Sequence, residues 1–551
     1  MLRIGIDFDN TIVCYDRSFP AVAAMMGLIT RDMASSKTDV KARLLSRPGG
    51  DLDWQRLQGQ VYGRHMLEAE MFPGFLEFVC LTKLKGHEMF IVSHKSEFGH
   101  FDADRVPLRD QAMLWLEKNG LLDESSFGLG RKNVFFEATR EDKLARIQEL
   151  ACTHFIDDLN EVLEEPDFPQ APQRILFQPG PGRAGGLTDA PVVVVPSWRE
   201  MARQLIEPAT EEDVCKVVQA RFPSLGTKHA QLRKGRGNSR VYELTAGSGE
   251  SYALKVYPDR QRDPRPRLET EFSACQELRE REYPVAEAIG ADKRLNWGIY
   301  RWIPGGHIEG ADEPFLADAI EFVSRLYRDG QREGRFDQFA QASQACLSGS
   351  EISRQIKERL QQLGAVGSEE LDTFLNNEFY PEYGHAVAIA KRACGSLFPA
   401  ELPRSQQIPS PSDFGSHNAI RSEDGRSMFI DFEYFGWDDP VKLVSDFYWH
   451  PGMRLGPVMR KRWIESCLDA FRRDSTFRLR LDSYLPLYGL RWCLILLNEF
   501  LSQGADHRLH ADPERNNSFS NIRLEQLHKS RALLQEIKEA MHGFGPAIQA
   551  S

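Results

Sequence analysis

The sequence predicts an α/β chain in two parts, a parallel sheet flanked by helices as far as about residue 206 and a two-lobed α+β unit after it. Three observations carry this. Short apolar runs (RIGIDF, MFIVS, THFID, RILF, VVVVP) alternate with longer helical patterns such as LRDQAMLWLEKNG and REDKLARIQELAC, the rhythm of strands joined by crossover helices. That rhythm stops at PSWREMARQLIEPATEED, where Pro208 and an acidic cluster make a linker. Beyond residue 212, SRVYELTAG and SYALKVYPD read as antiparallel strands and LETEFSACQELRE as a helix beside them, and after GIYRWIPGG the chain is mainly helical. A small lobe up to about residue 302 and a helical lobe after it place a cleft between them, and cofactor sites favour such clefts.

A chain of 551 residues, 41% hydrophobic and 27% charged, exceeds what one core usually organises. The expected division is a first domain over 1–206, a linker and entry over 207–234, and a second domain over 235–551. The net charge of -11 argues against nucleic acid as the main partner and favours small ligands whose charge metal ions offset. Nine cysteines with no C-x-x-C pair read as reduced thiols of a cytoplasmic protein. The N-terminus opens on a strand carrying acids, and no run of 18 apolar residues occurs, so neither export nor a membrane span is expected.

The first strand ends in IGIDFDNTIV, with Asp7 and Asp9 two residues apart. Side chains alternate along a strand, so both carboxylates reach one edge of the sheet, an arrangement that suggests a bound cation. Three further pieces extend the site. MFIVSHKS ends a strand with Ser93, whose hydroxyl suits a phosphate oxygen, with His94 and Lys95 beside it open between substrate contact and solvated loop. REDKLARI offers Lys143 to balance phosphate charge, with Arg131 and Lys132 as competitors. THFIDDLNEV ends another strand with Asp157 and Asp158, hard oxygen ligands for a cation such as Mg²⁺.

In this order, D-x-D-x-T, a strand-terminal Ser, a Lys and an acidic pair, the first domain resembles the haloacid dehalogenase (HAD) superfamily over residues 7 to 158. The resemblance implies a HAD-type, Rossmann-like parallel sheet with a helical cap over roughly 15–88. It implies that Asp7 attacks a phosphoryl group to give an aspartyl-phosphate with Asp9 as acid and then base, served by Ser93 and Lys143. Mg²⁺ would be held by Asp7, the backbone of Asp9, and one or both of Asp157 and Asp158. An Asp at position 9 points to the phosphatase-type members.

In the second domain, ALKVY places Lys255 on a strand, and KGRGNSRVYEL offers Gly235 and Gly237 as a loop able to approach phosphates. A strand lysine needs a partner, which Glu271 or Glu269 on the following helix supplies. Further on, PSDFGSHNAI carries Asp413 and, five residues later, Asn418, and SMFIDFEYF carries Asp431 and Glu433. This D-x-x-x-x-N and I-D-F-E series resembles the aminoglycoside and choline kinase-like phosphotransferases over residues 235 to roughly 450, and implies a protein kinase-like, two-lobed fold. It implies that ATP is the phosphoryl donor, that Asp413 orients or deprotonates a substrate hydroxyl, and that Asn418 and Asp431 bind Mg²⁺. YRWIPGG looks like the hinge, where Trp302 either stacks on adenine or packs in the core. Pro411 stands where that family has a His, and His417 reads as a structural loop residue. RQRDPRPRLE reads by default as a solvated basic loop.

Together these readings lead to a bifunctional enzyme, a small-molecule phosphatase joined to an ATP-dependent phosphotransferase. Two rivals stand beside it: an active kinase with a noncatalytic first domain, and a nonenzymatic nucleotide sensor. A nucleic-acid kinase-phosphatase is set aside, because the chain has no G-x-x-x-x-G-K-[ST] loop and no basic bias.

Overall fold

Among the described residues eight strands open the chain: β1 (Arg3–Ile6), β2 (Val13–Cys14), β3 (Glu70–Met71), β4 (Glu88–His94), β5 (Val134–Glu137), β6 (His154–Asp157), β7 (Gln173–Phe177) and β8 (Val192–Val195). All but the β2–β3 pair form one sheet in the order β5-β4-β1-β6-β7-β8, and every pairing in it is parallel. The computed structural model describes residues 1–30, 33–34, 36–99, 101, 104–180, 192–233, 239–258, 263–332, 334–501 and 519–548. All five strand-like runs read from the sequence are strands of this sheet. The edge strand β5 is the addition; its VFFE is half-buried throughout.

The central position of β1 explains its composition. Ile4 and Ile6 are fully buried, and a Cβ on Gly5 would lie 2.6 Å from the Phe155 ring of β6. Only glycine allows that approach. From β1 the chain proceeds to β4 and β5 on one side and to β6, β7 and β8 on the other. The C-terminal ends of β1 and β6 therefore flank a topological switch point, the crevice where open α/β sheets hold ligands.

Helices α1 (Ser18–Met25), α2 (Lys37–Leu45) and α3 (Gly50–Tyr62) lie between β2 and β3. The segment read as a cap, 15–88, contains these three and then α4 (Phe75–Leu84), which packs on β4 and on the last helix of the domain. Helix α5 (Leu108–Lys118) follows β4, α6 (Arg140–Glu149) follows β5 and the short α7 (Asn160–Leu163) follows β6. The last is α8 (Trp198–Leu205), whose Trp198 is fully buried. Its ring lies against Phe75, Phe78 and Phe177, and its indole N–H donates to the Thr11 carbonyl at 3.0 Å.

The segment 207–234 carries α9 (Glu211–Arg221) and β9 (Thr227–Arg233). Thr210 and Asp213 cap α9 reciprocally, and Asp213 also pairs with Lys85 at 2.8 Å, joining α9 to the first domain. β9 pairs with β10 (Arg240–Ala246) in a second, antiparallel sheet of order β12-β13-β11-β10-β9, completed by β11 (Ser251–Val256), β12 (Ala288–Asp292) and β13 (Trp297–Arg301). Helix α10 (Arg267–Glu280) lies beside it. After His307 the chain is mainly helical, with long segments at Glu313–Gly330, Gly349–Gly364, Tyr380–Cys394, Phe477–Leu496 and Phe519–Ile548. Among the described residues no helix is long and apolar enough to cross a membrane.

Candidate active sites

The first site forms where β1, β4 and β6 end. Phe8 is fully buried, edge-on to Trp115 and Phe136, so Asp7 and Asp9 on either side of it turn the other way. The Asp7 amide continues the ladder by donating to Ile156 of β6 at 2.8 Å, which sets its carboxylate beside Asp157. Thr139 caps α6 by accepting from the Asp142 amide, and one turn on Lys143 enters the sheet's edge. Its ammonium donates to Asp7 Oδ1 at 2.6 Å and to Asp157 Oδ2 at 2.7 Å, with all three residues buried. Arg131 and Lys132 are largely exposed and sit near Glu117 and Glu124 instead.

Carboxylate oxygens of Asp7, Asp157 and Asp158 lie within 4.8 Å of one another. Burial raises the Asp7 carboxyl to about 7, with Lys143 opposing and Asp157 reinforcing; burial and then the charges of Asp7 and Asp157 raise Asp158 to about 8. For Lys143, burial pulls downward, but Asp7 and Asp157 outweigh it and hold the ammonium charged. Crowded hard oxygen donors whose shared charge is not fully offset fit a divalent cation such as Mg²⁺. Ser93 is buried at the end of β4, beside β1.

Three neighbours of Asp9 were not assigned to this site from the sequence. Lys95 donates to both Asp9 oxygens, at 3.0 and 2.7 Å, and is itself only 4% exposed, which ends the solvated-loop reading. Its signal was available, since Ser93 and Lys95 are two apart at a strand end and share a side, as Asp7 and Asp9 do. Tyr15 donates its hydroxyl to Asp9, and Lys37 of α2 donates to Asn10 Oδ1 at 2.6 Å and to the Tyr62 hydroxyl at 3.1 Å. These come from the segment between β2 and β3 or its margin, and only folding brings them over the sheet. His94 lies 3.0 Å from the Ala138 carbonyl and is exposed.

The second site centres on Lys255 of β11, whose ammonium lies 2.6 Å from Glu271 Oε2 and 2.6 Å from Asp431 Oδ1. The partner on α10 is thus Glu271. Tyr257 also donates to it at 2.8 Å and is within 2.7 Å of the Tyr300 hydroxyl. Glu433 closes the group at 3.6 Å from Lys255 and pairs with buried Arg267. Arg265 and Arg267 are both held by Asp263, so this part of the basic loop is an ion-pair cluster, not a solvated face. Burial acts against the Lys255 charge, yet Asp431, Glu271 and Glu433 outweigh it; burial raises Glu433 to about 7.

Two short ladders present the remaining residues. Asp413 follows the strand Ile408–Ser410, and Asn418 precedes the strand Ala419–Ser422. The Asn418 amide donates to the Asp413 carbonyl at 2.9 Å and to its Oδ2 at 3.2 Å, while the Asn418 carbonyl accepts from the Ile430 amide next to Asp431. Burial pushes the Asp413 carboxyl up, but the hydrogen bond and charge of His417 win and hold it near 2, an ionised base. Ser412 and Asp431 adopt φ of 69° and 70°, left-handed values that cost L residues energy and concentrate at functional sites.

Oxygens of Asp431, Glu271 and Glu433 also lie within 4.8 Å of one another, a set of hard donors that fits a divalent cation. Asp439 and Asp446 serve structure. Asp439 caps the helix Pro440–Trp449 and pairs with Arg480 at 2.9 Å, and Asp446 pairs with Lys442 at 3.1 Å. Trp302 follows β13, half-buried, with its amide on the Ser251 carbonyl, and is not part of the core. Gly235 and Gly237 lie outside the described residues.

Residues 229–473 match the model of the phosphotransferase enzyme family, which supports a phosphotransferase-like domain in the C-terminal region. No curated protein matches the chain. Among solved structures, spectinomycin phosphotransferase with ADP and spectinomycin is 12% identical and covers 60% of this chain and 100% of its own, with a TM-score of 0.42. Plasmodium vivax ethanolamine kinase is 13% identical (62% of this chain, 95% of its own, TM-score 0.41). Choline kinase from Streptococcus pneumoniae is 13% identical (58% and 98%, TM-score 0.38).

Proposed function

We propose that the chain is a bifunctional enzyme, an ATP-dependent phosphotransferase acting on a hydroxyl of a small molecule, fused to a HAD-like phosphatase. The observation that carries the first activity is the Lys255 ammonium, 2.6 Å from both Glu271 and Asp431, in a domain that matches the phosphotransferase family. A lysine oriented this way meets the phosphates of ATP. Asp413 takes the proton of the acceptor hydroxyl as its oxygen bonds to the γ-phosphorus, and the bond to the β,γ-bridging oxygen breaks to release ADP. Asn418 and Asp431 would hold Mg²⁺, which supplies charge neutralisation on the transferring group.

The second activity rests on Lys143 joining Asp7 to Asp157 beside Asp158. An Asp7 oxygen bonds to the phosphorus of a phosphate monoester and the ester oxygen leaves with a proton from Asp9. Water then hydrolyses the aspartyl-phosphate and returns a proton to Asp9. Lys95, which donates to both Asp9 oxygens, holds that carboxyl in place for both steps. Asp7, Asp157 and Asp158 would hold the cation here.

The test uses the full chain with Mg²⁺ and ATP against glucose, glycerol, ethanolamine and adenosine as one sugar, polyol, amino alcohol and nucleoside, and separately with an aryl phosphate. ADP formation that depends on one acceptor and is lost in Lys255→Ala supports the kinase. Aryl phosphate hydrolysis lost in Asp7→Asn supports the phosphatase. Transfer without hydrolysis would leave the first domain as a scaffold, and nucleotide binding without either would make the chain a sensor.

A further inference from the structure

His417 Nε2 lies 2.9 Å from Asp413 Oδ1. A carboxylate oxygen only accepts, so Nε2 carries a hydrogen. The His417 Nδ1 is buried and has no hydrogen-bond partner among the described residues. Leaving a buried ring nitrogen unpaired is costly, and here it accompanies the contact of Nε2 with Asp413.

The ring is held by close neighbours. His450 stacks on it with centroids 4.0 Å apart and planes within 6°, and Trp492 stands edge-on behind His450 at 4.6 Å. His450 accepts from the Gly452 amide through Nδ1, and Trp492 donates to Asp446 at 2.9 Å. Gly415, whose φ of 175° any residue adopts, is a further neighbour of the ring. A Cβ there would lie 2.7 Å from His417 Cε1 and 2.9 Å from Met453 Sδ, so glycine is required by space and not by conformation. Two parallel rings at this separation cannot both aim an in-plane lone pair at one ion, so the Asp413, His417 and His450 group is not a metal centre.

We propose that His417 is the positioning residue for the phosphotransfer base: its Nε2–H, locked by Gly415 and the His450 ring, holds Asp413 Oδ1 so that Oδ2 faces the acceptor hydroxyl. This rests on the reading of Asp413 as the base. With Asn418 on Oδ2 and His417 on Oδ1 the carboxylate has one rotamer. A misplaced reacting group costs up to about 100-fold in rate.

The experiment compares His417→Phe, which keeps a ring against His450 but has no donor, with His417→Gln, whose amide restores one. Both are assayed in the full chain with Mg²⁺, ATP and whichever of glucose, glycerol, ethanolamine and adenosine the wild type uses. The proposal expects kcat to fall about 10- to 100-fold in His417→Phe, the KM for ATP to stay within about twofold, and His417→Gln to recover most of the loss. Wild-type kcat in His417→Phe, or equal loss in both variants, would overturn it. If the wild type transfers to none of the four, the kinase reading falls for them, and imidazole ¹⁵N resonances of the full chain decide the present point. An Nε2–H tautomer at His417 whose proton resonance moves in Asp413→Asn supports the pairing; an Nδ1–H tautomer refutes it.

Discussion

The Lys143 ammonium donates to the Asp7 carboxylate at 2.6 Å across 136 residues of chain, and the same ammonium holds Asp157. One cation thus bridges two buried acids that follow or end different strands. Replacing it by an apolar side chain of similar length leaves both acids buried without a counter-charge. Lys143→Met is expected to destabilise the first domain by about 3–5 kcal/mol, the range for breaking a buried pair from one side. Urea unfolding followed by tryptophan fluorescence checks this, and an unchanged first transition would contradict it.

The acid cluster sets a pH dependence with a definite sign. Asp7 and Asp158 rise from an ordinary 3.8 to about 7 and about 8, chiefly through burial. In that interval the folded protein holds more protons than the unfolded one, so the stability of the metal-free domain falls as pH rises. Mg²⁺ competes with those protons, so its thermal stabilisation is expected to be larger at about pH 8 than at about pH 5. Equal shifts at both values would count against a cation at this cluster. Asp7→Asn should flatten the metal-free pH dependence, since it removes one of the two raised acids.

ATP with Mg²⁺ is expected to stabilise the second domain, by about 2.7 kcal/mol at roughly 100 times Kd. Lys255→Ala should weaken that shift and also destabilise the apo domain, because Glu271, Asp431 and Glu433 then face one another without their shared cation. Asp413→Ala should keep the nucleotide shift and lose transfer, separating binding from chemistry. Differential scanning fluorimetry beside an ADP assay reads both. Absence of a shift with any nucleotide would sink the kinase reading.

The two sites are expected to act on different phosphate esters. If the first hydrolysed the ester that the second had made, the chain would only convert ATP to ADP and phosphate. The product made by Asp7→Asn, purified and offered to full-length Lys255→Ala, should therefore keep its new phosphate. Rapid release would show opposed activities on one ester.

Asp7, Asp9, Lys255, Asp413 and Asn418 were readable because each belongs to a short motif placed by one local rule. Strand alternation turns Asp7 and Asp9 to one side, and the strand lysine calls for an acid on the next helix. The same rule applied one motif further on would have shown Lys95 beside Ser93. Between Glu269 and Glu271 the sequence offered no choice, because both lie in the first turns of α10 and only the packing of that helix decides which one meets Lys255.

Local pattern determined the parallel strands at 3–6, 88–94, 154–157, 173–177 and 192–195, the antiparallel strands around Lys255 and the acids at their ends, since hydrophobic periodicity acts over a few residues. Tertiary structure alone decided that Lys143 rather than Arg131 or Lys132 reaches Asp7, and that Lys37 and Tyr15 come over the sheet. It also decided that His417, read as a loop residue, grips Asp413 between Gly415 and His450. A lysine at a given spacing is charged and long in every fold. Whether it ends on a carboxylate or in water depends on the burial and counter-charges that distant segments bring to it, and those exist only once the chain has packed.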